Sequence, residues 1–154
     1  MNVSCTSSGA MLAAYLWTLP AFTAVAAAFA LGQADRASLP RSGRFAIDLG
    51  AGFGMHTVPL ARAGWRVLAI DSSPTLLSQR SEFIEGLAVN ARCGELLGFS
   101  EYVPPAERAD LVLCMGETLT HLETPDAISE LGRAVDRTSQ RPLRALCAAT
   151  HVER

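Results

Sequence analysis

The chain contains no lysine, so its thirteen lysine-or-arginine positions are all arginine. That absence removes whole classes of chemistry. A P-loop needs a lysine to reach the β and γ phosphates of a nucleoside triphosphate, and pyridoxal phosphate enzymes need one for the Schiff base. Cysteine is sparse too: Cys5, Cys93, Cys114 and Cys147 are scattered without a C-x-x-C pair. Neither a metal site nor a disulfide framework is expected, and a reducing cytoplasm is the default compartment. Aromatic residues make up 6% of the chain and the formal net charge is −2. With no basic stripe and no interleaved aromatics there is little to neutralise phosphates, which argues against a nucleic-acid partner. Arg36, Arg41 and Arg44, and Arg137, Arg141 and Arg144, read as solvated faces. The alanine- and arginine-rich, lysine-free usage suggests, as an inference about codons, a GC-rich bacterial genome.

Charge is missing altogether between Gly9 and Gln33. About 20 apolar residues suffice to cross a bilayer, but no basic residue precedes this stretch, as a signal peptide or cytoplasmic flank would require. Pro20 splits it, and much of its bulk is alanine. Met11, Leu12, Tyr15, Leu16 and Leu19, then Phe22, Val25 and Phe29, recur at helical spacing, which predicts two helices between Met11 and Leu31 packed on the rest of the protein and not anchored in a membrane. Residues 1–43 are accordingly read as a helical cap with its linker, and residues 44–154 as an α/β domain.

The densest pattern is FAIDLGAGFGMHTVPLARAGWRVLAID, from Phe45 to Asp71. Phe45, Ala46 and Ile47 form an apolar run too short for a helix, and it stops at a glycine cluster as a buried parallel strand does. Gly50, Gly52 and Gly54 allow a sharp turn and a close approach to a ligand. Leu60, Ala61, Ala63 and Trp65 suit a following helix, and Arg66 to Ile70 a second strand closed by Asp71. The dinucleotide fingerprint G-x-G-x-x-G receives a pyrophosphate at a helix N-terminus. Counted from Gly50, its third glycine would fall at Met55, so the spacing fails. Asp48, just before the glycines, would repel a pyrophosphate and attract a cationic ligand such as S-adenosylmethionine, which carries an ammonium and a sulfonium. Asp71 suits the ribose hydroxyls of either ligand, because a carboxylate accepts two hydrogen bonds at once. It could equally serve the helix start at Ser72, Ser73 and Pro74.

Asp48-Leu49-Gly50-Ala51-Gly52-Phe53-Gly54 resembles motif I, D-x-G-x-G-x-G, of class I S-adenosylmethionine-dependent methyltransferases. Two further segments follow in that family's order. Asn90 to Leu97 resembles the segment after the third strand, with Glu95 where the family usually has an aspartate beside the adenine and Leu96 next to it. Ala109 to Gly116 resembles the fourth strand and its turn, which brings Cys114, Met115 and Gly116 beside the methionine end of the cofactor. The resemblance covers roughly Phe45 to Asp136. It implies a Rossmann-like three-layer αβα sandwich with a parallel sheet in the order third, second, first, fourth, S-adenosylmethionine as cofactor, and Asp48, Gly50, Ala51, Gly52, Gly54, Asp71, Ser72, Glu95, Leu96, Cys114, Met115 and Gly116 around it. Glu95 is otherwise a solvated loop acid. His121, after the fourth strand, is the candidate general base or else a structural loop histidine.

Helices are predicted near Met55 to Ala63, Pro74 to Glu85 and Pro125 to Val135, and strands near Phe45 to Leu49, Val67 to Ile70, Leu87 to Asn90 and Leu111 to Cys114. Thr124 caps the last helix, with Pro125 and Asp126 in its first turn. The family implies a further strand, a helix and a closing antiparallel pair. Here Leu143 to Thr150 supplies at most a fifth strand, so the chain reads as C-terminally shortened. If that segment failed to pair, the fourth strand would be an exposed edge inviting a second copy or a completing chain. The expected function is methyl transfer to a small-molecule acceptor; a non-catalytic cofactor-binding remnant is the alternative, and a nicotinamide oxidoreductase the third reading.

Overall fold

The computed structural model describes residues 44–79, 81–115, 118–140 and 145–148. The predicted helices between Met11 and Leu31, and the whole 1–43 cap, lie outside these residues. Five parallel strands form one sheet in the order β3-β2-β1-β4-β5. They are β1 (Phe45–Leu49), β2 (Arg66–Asp71), β3 (Val89–Cys93), β4 (Leu111–Met115) and β5 (Ala145–Ala148). Helices α1 (Thr57–Arg62), α2 (Pro74–Gln79), α3 (Ser81–Ile84) and α4 (Pro125–Thr138) connect them, with two 3-10 helices at Leu96–Tyr102 and Thr118–His121.

Side chains alternate across the strands and build a core on each face of the sheet. Phe45, Ile47 and Leu49, Leu68 and Ile70, and Val112 and Cys114 point to one side, where Phe99, Leu131, Ala134 and Val135 meet them. Ala46, Val67, Ala69, Leu111 and Leu113 point to the other, against Ala51, Leu60, Ala61 and Trp65. The result is the three-layer αβα sandwich the sequence implies. Asp110 clamps the start of the two central strands: its carboxylate accepts the Phe45 N–H at 2.8 Å, and its own N–H donates to the Phe45 carbonyl at 2.8 Å.

Where boundaries differ from expectation, the cause is local. The third strand is Val89–Cys93 and not Leu87 to Asn90, because Leu87 closes a turn onto the Ile84 carbonyl before pairing begins. It then runs on through exposed Asn90, Ala91, Arg92 and Cys93, since an edge strand needs only backbone partners on β2 and no apolar pattern. The first helix starts at Thr57, two residues late, because the turn through Gly54 continues to His56. The helix expected from Pro74 to Glu85 is two short ones, α2 and α3. β5 pairs with β4 from Val112↔Ala145 to Met115↔Ala148, so β4 is interior and the exposed edge feared at Leu111 to Cys114 does not arise. Among the described residues no helix is long and apolar enough to cross a membrane.

α4 begins as predicted, with the Thr124 hydroxyl accepting the Ala127 N–H at 3.2 Å and Pro125 in the first turn. Thr124→Ala should lower stability by about 1 kcal/mol, the usual worth of such a cap, as read from urea denaturation midpoints. At the opposite, amino end of the sheet Arg66 grips Glu107 through two bonds of 3.0 and 2.8 Å. The Arg66 hydrogen bonds hold the Glu107 carboxyl below the usual carboxylate range. A lowered carboxylate stabilises the fold above its unfolded pKa of about 4.3 and loses that effect as pH falls through the folded value. Both side chains are substantially exposed, so Glu107→Gln should cost less than about 1 kcal/mol at neutral pH and nothing in strong acid, a difference that denaturation at the two pH values measures.

Candidate functional site

The site grows out of the turn between β1 and α1. Gly50 takes φ +70°, a backbone region that side chains disfavour, and a Cβ there would collide with the Thr118 side chain. Gly52 also has positive φ, +52°, but a Cβ added to it would meet nothing within 4 Å. The loop amides are satisfied within the protein: Gly50 and Ala51 N–H donate to the Ile70 carbonyl at 2.9 and 3.0 Å, and Gly54 N–H to the Ala51 carbonyl at 2.8 Å. Gly52 N–H donates to Asp71 Oδ2 at 2.7 Å. Asp71, at the end of β2, accepts the Ser73 N–H on its other oxygen at 2.8 Å, and the Ser73 hydroxyl in turn accepts the Leu76 N–H at 3.3 Å. One carboxylate thus ties the glycine turn to the start of α2.

A cavity of about 1000 Å³ opens over the carboxyl ends of β1, β2 and β4, the edge where ligands gather in open α/β sheets. Gly50, Gly52, Asp71, Ser72, Glu95, Leu96, Met115 and His121 line it as the sequence suggested. Asp48, Ala51, Gly54 and Cys114 are not among its lining residues, and Gly116 falls outside the described residues. Asp48 is 1% exposed, and its Oδ2 accepts the Thr57 hydroxyl at 2.6 Å. It braces α1 beneath the loop and does not face the ligand space. Cys114 is buried in the core.

Several lining residues lie outside the set the sequence suggested. Ser73, Leu76, Gly94 and Leu97 flank the β2 and β3 side, and Leu122, Glu123, Thr124 and Ala127 the α4 side. Gly94 is there because a Cβ would press on the Tyr102 ring, 2.7 Å from its hydroxyl. Leu122 to Thr124 could have been anticipated: the Thr124 cap fixes how short the link from β4 to α4 is, and a short link must pass over the carboxyl edge. His121 ends the 3-10 helix and is exposed at the cavity. Thr118 anchors that helix by donating its hydroxyl to the Met115 carbonyl at 2.8 Å.

The sequence profile of a methyltransferase domain matches residues 46–138. The chain belongs to that methyltransferase-domain family. Solved structures agree in fold. An S-adenosylmethionine-dependent methyltransferase from Clostridium acetobutylicum is 18% identical with a TM-score of 0.68, covering 88% of this chain and 54% of its own. An rRNA methylase from Streptococcus thermophilus gives 16% and 0.61, covering 77% and 69%. The glycopeptide N-methyltransferase MtfA complexed with S-adenosyl-L-methionine gives 20% and 0.61, covering 79% and 53%. The chain spans about half the length of the first and third of these. No curated protein sequence matches it. In this methyltransferase domain the three segments that carried the resemblance, beginning at Asp48, Asn90 and Ala109, run through β1, β3 and β4 of one sheet, whose order is β3-β2-β1-β4-β5.

Proposed function

We propose that this methyltransferase domain binds S-adenosylmethionine in the cavity and transfers its methyl group to an acceptor of small-molecule size. The observation that supports the cofactor assignment is the hydrogen bonding of the glycine amides. A pyrophosphate cradled by the glycines needs their amides free, and the N–H groups of Gly50, Ala51, Gly52 and Gly54 are engaged by protein oxygens. A cofactor without phosphate needs none of them. Asp71 retains unused lone pairs after its two backbone bonds, since a carboxylate offers about four acceptor sites, and these suit vicinal ribose hydroxyls. Bare backbone at Gly52 lets a ligand approach closely, and Glu95 and Leu96, which line the cavity, are the residues that the family resemblance assigns to the adenine.

S-adenosylmethionine, when bound, supplies an electrophilic methyl on a sulfonium. The chain's own contribution is placement: Gly50, Gly52 and Asp71 fix the donor on one flank, while Thr118, His121 and Leu122 border the space left for an acceptor. Holding two reactants at reacting distance can itself provide much of the acceleration. A site for one drug-sized ligand occupies about 300–1,000 Å³, and this cavity, at about 1000 Å³, is at the upper end of that range. MtfA and the Streptococcus protein act on a glycopeptide and on rRNA by their names; the modest net charge of this chain favours a smaller, non-nucleic acceptor. Calorimetric titration with S-adenosylhomocysteine and with NAD tests the reading. Micromolar binding of the first and none of the second is the expected result, and tighter binding of NAD would sink it.

A further inference from the structure

We infer that the acceptor taken by this cavity is an amine arriving as an ammonium ion, with Glu123 as the residue that selects it. The inference rests on the methyltransferase reading above and adds the substrate class. Among the described lining residues the carboxylates are Asp71, Glu95 and Glu123, His121 is the one other ionisable side chain, and no arginine is present. Asp71 is committed to the loop and α2 amides and, with its remaining lone pairs, to the cofactor ribose, and Glu95 stands on the β3 flank. Glu123 is left for the acceptor. It lies two residues past His121 and directly before the Thr124 cap, and it makes no hydrogen bond or ion pair with the described residues.

One feature of the fold pulls the other way. The amino end of α4, fourteen residues long, carries a partial positive charge that would draw an anion. Glu123 before the cap and Asp126 in the first turn set two carboxylates over that end, and the Thr124 hydroxyl takes one of its free N–H groups. A carboxylate or phosphate acceptor would therefore meet like charge with no arginine among the described lining residues, whereas an ammonium meets opposite charge. Met115, Leu97, Leu122 and Ala127 give the same space apolar walls, which suit a hydrocarbon or aromatic body behind the amine.

The transfer balances. The ammonium loses one proton to solvent or to the His121 imidazole, and its lone pair forms the new N–C bond as the C–S bond breaks. The electron pair of that bond stays on sulfur as a neutral thioether, and the product leaves as an N-methylammonium.

The test uses three probes of one shape, 2-phenylethylamine, 2-phenylethanol and phenylacetate, titrated into the whole chain saturated with S-adenosylhomocysteine. The amine is expected to bind about tenfold more tightly than the alcohol or the acid, roughly one unit on a logarithmic affinity scale. Glu123→Gln should weaken the amine about five- to tenfold with S-adenosylhomocysteine affinity unchanged, and Glu123→Arg should favour phenylacetate. An alcohol or acid bound as well as the amine, no binding by any of the three, or an amine affinity indifferent to Glu123→Gln would each overturn the inference. Failure of S-adenosylhomocysteine itself to bind would instead overturn the methyltransferase reading.

Discussion

Gly50→Ala is expected to destabilise the domain by about 2–5 kcal/mol, from two separable causes. The first is backbone: φ is +70°, and an L residue in the left-handed region is disfavoured by about 1–2 kcal/mol. The second is crowding. The new methyl would strike the Thr118 hydroxyl and methyl groups and lie 2.9 Å from the Thr118 Cβ; overpacking of this kind typically costs about 1–3 kcal/mol. Thr118→Ala removes the two nearest atoms, so in that background the same Gly50 substitution should recover part of the crowding term and none of the backbone term. Urea denaturation of the four proteins in the cycle measures the coupling. An equal loss in both backgrounds would mean that the loop shifts to relieve the contact and that Thr118 does not brace it. The double variant also separates stability from function, because the 3-10 helix carrying Thr118 borders the cavity and its displacement should weaken S-adenosylhomocysteine even where the fold is regained.

Which parts of this arrangement the sequence made legible follows from how each element is stabilised. β1, β2 and β4 are covered on both faces, so their centres, Phe45 to Ile47, Val67 to Ile70 and Leu111 to Cys114, are apolar runs that cannot be mistaken for solvent-facing segments. β3 is an edge, held by its pairing to β2 and exposed along most of its length, and hydropathy places it two residues early. The 3-10 helix Leu96–Tyr102 escaped notice because i→i+3 turns leave no sustained helical period, although it contributes Phe99, fully buried, to the core. The glycine turn and Asp71 were readable together: parallel pairing of Leu49 with Ile70 brings the residues that follow each strand side by side. Asp48 was expected beside a cationic ligand from its charge and its place before the glycines. Strand alternation sends Ile47 and Leu49 to the Phe99 side, so the residue between them points to the α1 side, where Thr57 donates to it.

Asp71→Ala should do two things at once. It removes the acceptor for the Gly52 N–H at 2.7 Å and for the Ser73 N–H at 2.8 Å. Hydrogen bonds to charged groups contribute about 1.5–3 kcal/mol each, but Asp71 is only half-buried and water can replace part of the loss. A net destabilisation of about 1.5–3 kcal/mol is expected by urea denaturation. Asp71→Asn should fall between, since one carbonyl oxygen can serve either amide but its NH₂ group cannot serve the other. A stability loss alone would fit a residue that merely caps α2 and ties the loop. If Asp71 also holds the ribose, S-adenosylhomocysteine should weaken about ten- to a hundredfold, which is about 1.4–2.7 kcal/mol. Adenosine and 2′-deoxyadenosine separate the two roles. The native domain should prefer adenosine, because the missing hydroxyl is a partner of the carboxylate, and Asp71→Ala should bind the two nucleosides equally. A preference for adenosine that survives the substitution would assign the ribose to another group and leave Asp71 with the loop alone.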